Sequence, residues 1–191
     1  MSGRDSQSPA ALGFLTVVEH EQLGLVGGYL LLNLSGRPLE FHCTAPIKPN
    51  RAQQILYGPT LEPYLYGEQI GQALASKSSV QPLCICTDRE PALALGDHVQ
   101  QPVVWIAPRD EQSVTAEGDA TGIIRFDRAH GLKIPLATLR VGCNSIGVRT
   151  VRGGDAELVR QRLAGLDPNF DLAEPFGRIR EAIDEAQRGS R

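Results

Sequence analysis

Aromatic residues are scarce in this chain, at 5% of 191 residues, with one tryptophan and four tyrosines. Long hydrophobic runs are missing as well. No apolar stretch approaches the roughly 18 to 20 residues that a membrane-crossing helix needs, and the N-terminus has no basic segment followed by an apolar one. The sequence therefore predicts neither a membrane span nor a secretory leader. Cysteine is limited to Cys43, Cys84, Cys86 and Cys143, too few to staple a secreted domain of this size, which points to a reducing cytoplasm. Positive charge is not in excess: 19 Lys and Arg stand against 22 Asp and Glu, a net charge of −3. Nonspecific attraction to nucleic acid rests on Lys and Arg neutralising phosphates, so this balance argues against a nucleic-acid partner. Catalytic signatures are absent too. There is no Walker lysine, no G-x-G-x-x-G leading into a helix, no G-x-S-x-G and no H-E-x-x-H. Those absences remove the readily recognised enzyme classes and leave only sites assembled in space.

What is present is an ordinary globular composition, 41% hydrophobic and 21% charged, in a chain long enough to bury one core. Residues 1–12 are polar without periodicity and read as a disordered tail, and residues 13–191 read as a single domain. Phe14 to Glu19 reads as a first strand. The glycines of Leu23 to Gly28 read as a bend or bulge. Tyr29 to Asn33 is a continuous apolar run, and Pro38 to Thr44 alternates with the period of a strand. The Ser35-Gly36 pair between them closes a hairpin. The alternation directs Leu39, Phe41 and Cys43 to the core and Glu40, His42 and Thr44 away from it. Asn50 is a helix N-cap, Ala52, Ile55 and Leu56 share a face, and Gly58-Pro59 splits the helix into two bent pieces.

Further on, Val80 to Thr87 and Val103 to Ala107 are apolar strands, with helical turns from Pro91 to Leu95 between them. They are joined by a parallel crossover or an antiparallel return. Arg109 to Gly122 reads as an exposed loop. Ile123 to Phe126 and Leu136 to Val141 are strands separated by a turn at Asp127 to Gly131. A helix follows from Asp155, with Ala156, Val159 and Leu163 on one face. Another starts near Pro175 and carries a stripe of Phe176, Ile179, Ile183 and Ala186, suited to the domain's own sheet or to a partner helix. The order of elements defines an α+β domain, with a mostly antiparallel sheet packed by a bent central helix and two C-terminal helices.

Two groups of residues invite chemistry. Lys48 and Arg51 flank the capped helix start at Asn50, a combination that suits a phosphate or carboxylate. Tyr57, Tyr64 and Tyr66 lie close by, with the apolar body and polar tip common at binding surfaces. His42 belongs to the same region, and Glu62, Glu68 or Asp88 could add a carboxylate. His42 and Cys43 point to opposite faces and form no dyad. Cys84 and Cys86 share a strand face; with Cys43 on a neighbouring strand, three sulfurs could hold zinc. Core packing accounts for the same thiols.

These residues predict a cytoplasmic, non-catalytic module. It binds a protein partner or a small anionic ligand through Lys48 to Tyr66, with no cofactor and with room for a homodimer. Two alternatives stand beside it. One is an enzyme on the same surface, with Lys48 and Arg51 holding an anion and His42, Tyr57 or Glu62 moving protons. The other is a zinc-stabilised structural protein.

Overall fold

β1 (Ala11–His20) alternates its side chains between two apolar layers. Leu12 and Phe14 enter one cluster, while Ala11, Leu15 and Val17 enter the other. A strand covered on both faces reads as continuously apolar, which is why this stretch shows little polar alternation. The computed structural model describes residues 10–107, 123–124, 135–150 and 155–189. β1 begins earlier than expected: Ala11 and Leu12, assigned above to the tail, are fully buried. Residues 1–9, the Arg109 to Gly122 loop and the Asp127 to Gly131 turn lie outside the described residues.

β1 pairs antiparallel with β2 (Gly24–Asn33), and β2 with the edge strand β3 (Pro38–Cys43). The β2–β3 turn carries Gly36 at φ 77°, as the hairpin required. A helical stretch follows. α1 (Arg51–Tyr57) is capped by Asn50, whose side chain accepts from the Gln53 amide at 2.8 Å while Gln53 answers to the Asn50 amide at 3.0 Å. A 3-10 turn at Gly58–Thr60 supplies the expected bend. α2 (residues 61–75) is α-helical over Leu61–Pro63, π-helical over Tyr64–Gln72 and α-helical again over Ala73–Ala75.

The centre of the sheet corrects the sequence reading. β4 (Ile85–Thr87) runs parallel to β1, and β5 (Val103–Ile106) runs parallel to β4. The sheet is therefore mixed, not mostly antiparallel. The physical reason is the connections: α1 and α2 carry the chain back before β4, and a 3-10 helix, Glu90–Asp97, does the same before β5. β6 (Ile123–Ile124), β7 (Leu136–Val141) and β8 (Asn144–Arg149) complete, among the described residues, an eight-stranded sheet in the order β3-β2-β1-β4-β5-β8-β7-β6. β8, which turns back from β7 at Gly142 to pair antiparallel with β5, is an element the sequence reading missed.

Helices cover both faces. α3 (Asp155–Arg162) and α4 (Glu174–Gly189) bury Val159, Phe176, Ile179 and Ile183 on one side, with Leu163 just past α3. α2 and the 3-10 helix bury Leu65, Ile70, Leu74, Leu93 and Leu95 on the other. The apolar stripe of α4 is thus spent on its own sheet, not on a seam for a second helix. Gly27 and Gly28 explain how both layers come so close. A Cβ on Gly27 would stand 2.1 Å from Ile70 Cγ2, and one on Gly28 would stand 2.3 Å from Ile179 Cγ2. These glycines are not a bend in the strand. They are seats for one helix on each face.

The edge of the sheet corrects the face assignment. Phe41 and Cys43 are exposed, Phe41 by 39%, because β3 lies at the sheet's margin and pairs on one side only. Leu39 is partly buried against the α2 layer, beyond a register shift at Leu31/Leu32. Ile55 and Leu56 on α1 are also exposed, so that helix buries no apolar face. No helix among the described residues is long and apolar enough to cross a membrane.

Candidate functional site

β1, β4 and β5 are parallel, so their carboxyl ends meet at one edge of the sheet. Open sheets with parallel strands place ligand sites at that edge. Here it holds a cleft of about 510 Å³, walled by α2 on one face and α4 on the other. Glu19 comes from the end of β1, Asp88 and Arg89 from the residues after β4, and Glu62 and Tyr66 from α2. Arg180 reaches in from α4, and Trp105 of β5 lines the floor.

The polar groups are arranged in pairs. The Tyr66 hydroxyl donates to Glu19 Oε1 at 2.5 Å. Burial first, and then that hydrogen bond, push the Tyr66 phenol well above its ordinary pKa, so it remains a donor. Glu19 itself is exposed at the mouth of the cleft. Arg180 Nη2 forms an ion pair with Asp88 Oδ2, whose side chain is only 15% exposed. Partial burial lowers the Arg180 pKa, yet a guanidinium keeps its charge. The other Asp88 oxygen and the Arg89 Nε are buried and have no hydrogen-bond partner among the described residues. Buried polar atoms are ordinarily satisfied, so this unmet capacity at the cleft wall is a place for ligand groups.

The residues singled out from sequence are dispersed. Tyr66 lines the cleft, as do Glu62 and Asp88, which were named as auxiliary carboxylates. Lys48 donates to the Gln22 carbonyl, and Arg51 reaches Gln54 Oε1 at 3.4 Å, both on an exposed surface. Asn50 is occupied by its capping box. Tyr57 and Tyr64 stack on each other, with centroids 4.3 Å apart. His42 Nε2 lies 3.1 Å from Glu40, whose carboxyl is held at about 2, chiefly by a hydrogen bond from Ser79. Glu68 sits 3.7 Å from His98.

The three sulfurs do not meet. Two strands separate β3 from β4, which puts Cys43 roughly 14 Å from the Cys86 strand at ordinary strand spacing. Cys84 and Cys86 are buried, and the hydrogen bond from Cys84, then burial, push the Cys86 thiol up, away from the thiolate a metal needs. No group of three or more His, Cys, Asp or Glu among the described residues is placed to hold a metal ion.

Sequence reasoning missed Glu19, Arg89 and Arg180. The available signal was Asp88-Arg89 directly after an apolar strand. Arg180 gave none, because on α4 it looked like one more charge on a solvated face.

The sequence matches no family model and no curated protein. Solved structures do match in fold. Human endonuclease V is 13% identical over 95% of this chain and 86% of that one, with a TM-score of 0.53. The catalytic domain of human endonuclease V is 13% identical over 97% and 85%, with a TM-score of 0.51. A Ciona intestinalis endonuclease V, in complex with a 23mer DNA containing an inosine followed by a ribo-adenosine, is 11% identical over 92% and 86%, with a TM-score of 0.47. At these identities the likeness is one of fold.

That likeness corrects two expectations. A non-catalytic module for a protein partner or small anion does not stand, because the fold is one that carries an endonuclease's catalytic domain. The exclusion of nucleic acid does not stand either. It rested on net charge, which averages over the whole surface, whereas attraction is set locally by where the cations sit. Arg89 and Arg180 both sit in the cleft.

Proposed function

We propose that the chain is an enzyme acting on nucleic acid, and that the cleft between α2 and α4 holds the phosphodiester backbone for cleavage. One observation carries the reading: two guanidinium groups, Arg89 and Arg180, stand among carboxylates at the carboxyl edge of three parallel strands. The fold shared with endonuclease V supports the same class of substrate.

Roles follow from chemistry. Arg89 and Arg180 present planar donors to phosphate oxygens. Glu19 is the base that takes a proton from a water attacking phosphorus, while the P–O bond to one sugar oxygen breaks and that oxygen leaves with a proton from solvent. Its Oε1 is held by Tyr66, which leaves Oε2 for that task. The setting is a reducing one, supported by four cysteines that carry no disulfide.

Binding tests this first. A labelled mixed-sequence oligonucleotide, followed by fluorescence anisotropy, should bind wild-type protein in low salt. Arg89→Ala and Arg180→Ala should each raise Kd about tenfold and lower the salt-dependence slope by about 1, as expected for one lost phosphate contact. Affinity unchanged in both variants would remove the cleft from nucleic-acid binding.

A further inference from the structure

Phosphoryl chemistry in nucleases commonly recruits one or two divalent cations, held by clustered carboxylates that neutralise charge on the phosphate. The cleft has four carboxylates, Glu19, Glu62, Asp88 and Glu90, but they are not grouped for a cation. Asp88 is paired through Oδ2 with Arg180 from α4, and only its Oδ1 is left open. Glu19 is tied to the Tyr66 hydroxyl. Glu62 lies exposed on α2, and no three such groups among the described residues converge. The donor set therefore does not fit a cation.

On the Oδ2 side of Asp88, the position that a cation would take is filled by the Arg180 side chain. α4 is fixed there by Phe176, Ile179 and Ile183, all buried, with Phe176 packed edge-on against Phe14 at 5.8 Å. Arg180 is one turn beyond Phe176, so the packing that holds the helix also delivers the guanidinium. Arg89 adds a second charge from the β4 side.

We infer that Arg180, seated on Asp88, supplies the positive charge that a divalent cation would otherwise bring to this cleft, so that nucleic-acid binding here is independent of divalent cations. The inference rests on the reading of function above. A guanidinium keeps its charge at any working pH and offers several donors, so it can pair with Asp88 and a phosphate oxygen together.

Two measurements separate this inference from that reading. The first is oligonucleotide affinity in millimolar Mg²⁺ and in EDTA at matched ionic strength. Wild-type Kd should agree within about twofold between the two. Arg180→Lys should retain cation-independent binding better than Arg180→Met, which loses the charge. The second is Mn²⁺ binding to the protein alone, by electron paramagnetic resonance. Wild type and Asp88→Asn should give the same titration. Loss of oligonucleotide binding in EDTA, or a wild-type Mn²⁺ site that Asp88→Asn removes, would overturn the inference. Absence of oligonucleotide binding in both buffers would instead overturn the reading of function, and the Mn²⁺ titration would still decide whether Asp88 holds a cation. Thermal melts of each variant identify any that fail to fold, and the Asp88→Asn comparison does not depend on the Arg180 variants.

Discussion

Gly28→Ala should destabilise the protein by about 2 to 3 kcal/mol, the cost of an extra methyl forced into a packed core. The added Cβ would lie 2.3 Å from Ile179 Cγ2 and 2.9 Å from Ile183 Cδ1, closer than carbon atoms approach. α4 must then move off β2. In a domain of this size, a melting temperature roughly 4 to 12 °C lower follows. The cause can be isolated. Ile179→Ala removes the clashing methyl at its own cost of about 2 to 5 kcal/mol. Urea unfolding of the double variant should then show a loss smaller than the sum of the two, by about 1 kcal/mol or more. Strict additivity would mean that helix contact is not what Gly28 serves.

Glu19→Gln should lower cleavage of an oligonucleotide by about 10²- to 10⁴-fold, the usual worth of a positioned general base. Binding should survive, because the phosphate contacts come from Arg89 and Arg180. The amide oxygen can still accept from Tyr66, so the local geometry is kept while the base is lost. Single-turnover cleavage beside anisotropy makes the split visible. Equal loss of binding and cleavage would mark Glu19 as structural, and full activity would move the base elsewhere.

Local structure was legible where local physics decides it. Alternation marked β3, the Ser35-Gly36 turn marked the hairpin, and Asn50 announced the capped start of α1. The stripe of Phe176, Ile179 and Ile183 marked the buried face of α4. The parallel centre was less legible, since β4 is only three residues long and its neighbours are chosen by the crossing helices. β8 escaped because Asn144 and Gly147 interrupt its apolar pattern. Asn144 is there for a reason of its own: its amide donates to the Phe170 carbonyl at 2.7 Å, and its oxygen accepts from the Leu172 amide at 2.9 Å, anchoring the segment before α4.

The cleft was the least legible part. Glu19, Asp88 and Arg180 are far apart in sequence and converge only once β4 lies beside β1 and α4 crosses the sheet. Lys48 and Arg51 lie close together in sequence, on either side of the helix cap at Asn50. Their guanidinium and ammonium groups rest on local partners at the surface, while the charges that share a cavity come from separate elements along the chain.

The chain's single tryptophan gives the most direct test of where nucleic acid goes. Trp105 lines the cleft between the two walls and is 8% exposed, so its emission reports occupation of that space. Titration of the protein with an unlabelled oligonucleotide should change Trp105 fluorescence saturably, at the concentrations where anisotropy shows binding. Arg180→Ala should shift that curve to higher concentration. Binding by anisotropy with Trp105 emission unchanged would place the nucleic acid outside the cleft and contradict the proposed function.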